Sequence, residues 1–129
     1  MAQPSDTIEH MFDKEEEVAL QSALSYELSG HPASVELLDR GFRAGKLCSR
    51  VVVVPSLNRL DVVVQDPAEL VSAREFLGHR RAAGWEVWAL VPLAQLARAH
   101  DTGRGSVEFV QGWWTRSSGQ VAFTSPEIP

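Results

Sequence analysis

Apolar positions change their spacing from one stretch of the chain to the next, and the changes mark the elements. Leu20, Leu24 and Leu28 recur every four residues beside Val18, Ala19 and Tyr26, which predicts an amphipathic helix laying a wide apolar face on a sheet. Asp13 and Glu16 have capping-box spacing, so this helix is expected to begin near Lys14, and Gly30 and Pro32 end it. Residues 1–12 then read as a loose acidic arm ahead of a domain spanning 13–124, with 125–129 as a tail. Val35, Leu38 and Phe42 stand at i, i+3 and i+7, which predicts a short helix over 32–44, a strand at 34–38 being the alternative.

Spacing then switches to that of strands. Leu47 to Val54 and Leu60 to Gln65 are rich in valine and separated by a Pro55–Asn58 turn, so they read as a hairpin. The run Val51–Val54 has no polar side, which predicts burial on both faces and a sheet covered by helices. Asp66, Pro67 and Glu69 supply a cap, a first-turn proline and a first-turn acid, starting one helix over 67–83 that Gly84 stops. Trp85 to Val91 follow as a strand, making residues 60–91 a βαβ unit with parallel strands. Leu93 to His100 predict another short helix, and Val107 to Trp114 with Gly119 to Thr124 a terminal hairpin. The fold class expected is a single layered α/β domain: a central mixed sheet of about five strands with helices packed on it.

Composition narrows the setting. The 129 residues are 44% hydrophobic and 22% charged, the balance of an ordinary globular chain. The longest apolar run is far too short to span a bilayer and the N-terminal stretch is acidic, so a cytoplasmic protein without membrane contact is expected. The single cysteine, Cys48, fits a reducing compartment, and its place beside the valines predicts an inert buried thiol despite Lys46 and Arg50 nearby. Net charge is −5, all of it in residues 1–20. Beyond them, Arg40, Arg43, Lys46 and Arg50 follow one another with no acid between, a patch that can meet phosphate or simply stay solvated.

Most catalytic patterns are missing. His10, His31, His79 and His100 lie on different elements without metal-ligand spacing, and neither a glycine-rich phosphate loop nor a serine elbow follows a strand. No metal site and no cofactor are therefore expected. Trp85, Trp88, Trp113 and Trp114 cannot all face one core, so the segment Trp113, Trp114 and Arg116 is the candidate partner-binding surface.

One arrangement points to chemistry. An acidic helix holding Glu15, Glu16 and Glu17, two valine-rich strands with Asp61 on the second, a capped helix and a further strand occur in order. In that order, and in the phrases NRLDVVV and RRAAGWEVWALVPL, residues 14–100 resemble the PD-(D/E)XK, or restriction-endonuclease-like, superfamily. The resemblance implies a strand aspartate at Asp61 and a helix acid at Glu15, Glu16 or Glu17, with carboxylates suited to a hard divalent ion. The glutamate-X-lysine of that family has no counterpart, since Gln65 ends the strand and the chain turns at Asp66.

Without it, the resemblance implies a noncatalytic binding or assembly protein with a nuclease-like fold, an accessory factor in DNA transactions that acts on a protein partner and self-associates as a homodimer. Two alternatives remain. One is a divalent-metal-dependent nuclease that draws its missing ligand from Glu15, Glu16 or Glu17 and takes Mg²⁺. The other is a winged-helix-like DNA-binding protein, with Arg40, Arg43 and Lys46 on or after a recognition helix and the valine hairpin as its wing.

Overall fold

A computed structural model describes residues 4–38 and 49–129. The valine-rich segments pair as the sequence leads one to expect. Strand β2 (Ser49–Val54) runs antiparallel to β3 (Arg59–Val63), joined by a short 3-10 turn over Pro55–Leu57. Asn58 closes that turn in the left-handed region, φ 49°, a conformation asparagine tolerates better than most residues. Ahead of β2 the chain forms β1 (Ser34–Leu38), antiparallel to β2, so the helical spacing of Val35 and Leu38 yields to sheet pairing and the strand alternative holds. The rest of the expected 32–44 helix, from residue 39 onward, lies outside the described residues, as do Arg40, Arg43, Lys46 and Cys48.

The βαβ unit forms with one change. The expected 67–83 helix is divided at Ala73 (φ −92°, ψ 2°) into α2 (Ala68–Ser72) and α3 (Arg74–Ala82). Pro67 and Asp66 open it, the Asp66 carboxylate accepting the Ala68 N–H at 3.0 Å. Gly84, at φ 94°, supplies the left-handed residue that turns the chain into β4 (Glu86–Pro92), parallel to β3. After a 3-10 turn, α4 (Leu96–Gly103) leads to β5 (Phe109–Thr115), parallel to β4, and β6 (Val121–Phe123) returns antiparallel. Glu127 adds a bridge to Val110, so part of the expected tail extends the β5 edge. Among the described residues the sheet therefore has six strands in the order β1-β2-β3-β4-β5-β6, against about five expected from the sequence.

Alternation sorts the strand residues onto two faces. Val51, Leu60, Val62, Val87, Ala89 and Val110 pack with Leu70, Leu77 and Ala99 of α2, α3 and α4. On the opposite face Val52, Val54, Val63, Leu90 and Trp113 meet Val18, Ala19 and Ala23 of α1 (Pro4–Leu28). Helix α1 begins about ten residues earlier than the Asp13 capping signal predicts, with Pro4 in the first turn where its missing N–H costs nothing. Glu15, Glu16 and Glu17 therefore sit well inside the helix and are not first-turn acids.

The face that α1 turns to the sheet also differs from expectation. Val18, Ala19, Ser22 and Ala23 are buried, whereas Leu20, Leu24 and Leu28 are 52%, 54% and 80% exposed. Small side chains at 19, 22 and 23 let the helix backbone approach the sheet closely, and the leucine row is left on the outside. No helix among the described residues is long and apolar enough to cross a membrane.

Candidate functional site

Positions 18, 22 and 26 are one helical turn apart on α1, so Ser22 and Tyr26 continue the buried Val18 line toward the end of the helix. On β3, Arg59, Asp61 and Val63 share the face toward α1, while Leu60 and Val62 face the other core. The two alternations bring Ser22, Tyr26, Arg59 and Asp61 together. Asp61 is mid-strand and 1% exposed, and its two oxygens are taken up by three donors. Oδ2 accepts the Tyr26 hydroxyl at 2.5 Å and the Ser22 hydroxyl at 3.3 Å, and Oδ1 accepts Arg59 Nε at 3.2 Å.

Burial pushes the Asp61 carboxyl above the usual carboxylate range, and the Arg59 charge, then the hydrogen bonds from Tyr26, Arg59 and Ser22, work against that rise. The Tyr26 phenol is itself raised well above its ordinary value, first by burial and then by the Asp61 charge. Tyr26 thus stays protonated and remains a donor. Arg59 is held from a second side: its Cζ lies 3.2 Å from the centroid of the Trp88 ring and 5.1 Å from that of Tyr26. Trp88 is fixed in turn, its Nε1–H donating to Glu86 Oε1 at 2.6 Å and its ring meeting Phe109 at 4.7 Å. Beside this cluster a pocket of about 310 Å³ opens between the end of α1 and the β5–β6 edge. Ser25, Gln111, Phe123 and Thr124 complete its walls.

The other residues singled out in the sequence fall elsewhere. Glu15 is buried, but it lies seven positions before Ser22, about 10 Å along the helix axis. Glu16 pairs with Arg50 at 3.6 Å, and Glu17 with Lys14 at 3.4 Å. Helix acids and Asp61 therefore do not converge, and among the described residues no group of three His, Cys, Asp or Glu side chains is arranged to hold a metal ion. Lys14, spent on Glu17 and 6.0 Å from the Trp113 ring centroid, offers no amine to Asp61.

Trp113 is buried in the α1 core, while Trp114 and Arg116 are exposed, so the tryptophan pair is split between interior and surface. The hairpin valines Val51, Val52 and Val54 are buried within the sheet, unlike the solvent-facing strands of a wing.

Sequence reasoning named Tyr26 and Trp88 only as apolar and aromatic positions and passed over Ser22 and Arg59. The signal that finds them is positional: Arg59 and Asp61 at i, i+2 on one strand, and Ser22 and Tyr26 at i, i+4 on the line of Val18. No family model, no curated protein and no solved structure matches the chain.

Proposed function

We propose that this chain is a noncatalytic assembly module that pairs with a second copy of itself through the outer face of α1. The observation that carries the reading is the outward row Leu20, Leu24 and Leu28. Three leucines at four-residue spacing on a surface helix form a ridge, and isolated exposed apolar residues are common but aligned ones mark contact surfaces. Leu24 and Leu28 also form one wall of a shallow groove that Gln21, Ser25, Ser29 and Gln120 complete. A patch holding both a ridge and its own groove is self-complementary, which is what a twofold contact requires.

Charge selects the direction of pairing. From residue 20 to 28 the helix carries one charged side chain, Glu27. Parallel pairing would set Glu27 against its twin, whereas antiparallel pairing about Leu24 sets Leu20 over Leu28 and Glu27 over Gln21. The noncatalytic half of the reading is supported by Asp61, whose oxygens are occupied by Tyr26, Ser22 and Arg59 and which has no carboxylate or lysine partner among the described residues. The order of leading helix, Asp61-bearing strand, crossing helices and parallel strand supports a restriction-endonuclease-like descent for such a module.

The exposed fractions amount to about two leucine side chains per protomer, so a dimer would withdraw about four, at about 1.5–3 kcal/mol each. Set against an association cost of about 4–15 kcal/mol, that gain of about 6–12 kcal/mol leaves at most about 8 kcal/mol. The dimer is therefore weak, no tighter than about 10⁻⁶ M, and is to be sought between about 10⁻⁶ and 10⁻³ M. Sedimentation equilibrium across that range is expected to show a reversible monomer–dimer equilibrium that Leu24→Glu abolishes while leaving stability within about 0.5 kcal/mol. A wild-type chain monomeric at millimolar concentration would exclude the proposal.

A further inference from the structure

Arg59 has donors to spare. A guanidinium carries five N–H groups, and Arg59 uses Nε on Asp61, while its Nη1 and Nη2 donate to no described residue. The side chain is 18% exposed and lines the pocket beside α1, so these donors are reached by solvent there and are open to an acceptor. Their direction is fixed twice over, by the Nε bond to Asp61 and by the Trp88 ring against which the guanidinium lies. A fork held this way is preorganised for a planar, two-oxygen acceptor.

Arg59 also lines the pocket between α1 and the β5–β6 edge, and the pocket's 310 Å³ is at the small end of ligand sites. Tyr26 and Phe123 give it aromatic walls, and Ser25 and Gln111 add polar groups. Gln111 Nε2 is occupied by the Thr124 carbonyl at 2.8 Å. From this arrangement we infer that the pocket is a binding site for a small aromatic monocarboxylate, its carboxylate gripped by Arg59 Nη1 and Nη2 and its body lying between Tyr26 and Phe123.

Local charge favours a monoanion. Asp61 contacts Arg59 directly and Glu86 stands opposite it in the parallel register, so a dianion such as phosphate would meet two acids around one cation. A carboxylate shares the guanidinium with Asp61 instead, one on the Nη side and the other on Nε. The site shares Ser25 with the groove beside the α1 ridge but is anchored on Arg59, Tyr26 and Phe123, and neither reading depends on the other.

The test is a titration of the full ¹⁵N-labelled chain with benzoate, benzamide and inorganic phosphate, followed at the Trp88 indole N–H and Arg59 Nε resonances. Benzoate is expected to shift both saturably, with benzamide and phosphate at least about tenfold weaker for lack of a charge-matched planar acceptor. Arg59→Lys keeps the charge but loses the fork, and is expected to weaken benzoate about tenfold or more. Ser25→Phe fills the pocket from the exposed side of α1 and replaces none of the groups that hydrogen-bond Asp61. It is expected to abolish binding with an unchanged melting temperature, which keeps the test decisive should the lysine variant fail to fold. The inference is overturned if benzoate gives no saturable shift, if benzamide or phosphate binds as well as benzoate, or if Ser25→Phe binds benzoate at full strength.

Discussion

Removing one oxygen atom, by Tyr26→Phe, tests how Asp61 is held. Nothing else about the packing changes, because phenylalanine keeps the ring that Arg59 faces at 5.1 Å. What disappears is the 2.5 Å donation into Oδ2, leaving that oxygen with the longer Ser22 contact at 3.3 Å in a site where Asp61 is 1% exposed. Hydrogen bonds to a charged group contribute about 1.5–3 kcal/mol, and water has little room to replace the hydroxyl. A loss of about 2 kcal/mol is therefore expected. With an unfolding entropy of about 2.1 cal/mol/K per residue, 129 residues give about 0.27 kcal/mol/K, so the melting temperature should fall by about 7 °C.

Urea denaturation of both proteins, with a double-mutant cycle through Asp61→Asn, separates the bond from the rest of the phenol. The cycle should return a coupling of about 1–3 kcal/mol, as for residues in direct contact. A Tyr26→Phe effect below about 0.5 kcal/mol, or a coupling near zero, would refute the view that Tyr26 and Asp61 form one buried unit.

Other expectations follow from the same cluster. The folded-state pKa of Asp61 is raised above 3.8, so the native state binds more protons than the unfolded chain between the two values. Stability from this group is fully present below the unfolded value and is lost as pH rises through the folded one. Asp61→Asn removes that component, so its stability relative to wild type should improve with rising pH in urea melts from pH 4 to 8. A difference that is flat or runs the other way contradicts the assignment. The chain should not cut DNA or RNA with Mg²⁺ or Mn²⁺, and metal-dependent cleavage abolished by Asp61→Ala would show that the carboxylate is free to do chemistry after all.

Much of the fold was legible because burial on two faces and strong punctuation leave few choices. Four consecutive valines from 51 to 54 favour an interior strand over an exposed wing, and Asp66-Pro67 with Gly84 bracket a helical segment between parallel strands. The sequence misled where local spacing competed with long-range pairing. Val35 and Leu38 fit a helix, yet alignment with Val52 and Ser49 across β1–β2 made them a strand. Hydrophobicity likewise assigned Leu20, Leu24 and Leu28 to the interior, because it rewards size. Close approach of a helix to a sheet rewards smallness, and Ala19, Ser22 and Ala23 took those places.

The same competition hid the cluster around Asp61. A lone acid on a strand reads as an edge residue or a metal ligand until Tyr26, 35 positions away, is brought to it by packing. Trp88 reached Arg59 by register alone, standing next to Asp61 in the parallel β3–β4 pair. Neither partner could be named from spacing along the chain, since both contacts are made between elements.

The self-association reading is tested most directly at the dyad it implies. In a Cys48→Ser background, Leu24→Cys places the one thiol of each copy where antiparallel α1 helices cross, within reach of disulfide geometry, about 4.4–6.8 Å between Cα atoms. Mild oxidation at about 0.5 mM protein, within the range where association is sought, is expected to link Leu24→Cys chains into dimers and to leave Glu27→Cys chains, which would face Gln21, largely monomeric. Linkage of Glu27→Cys as efficient as that of Leu24→Cys, or no linkage at position 24, would contradict it.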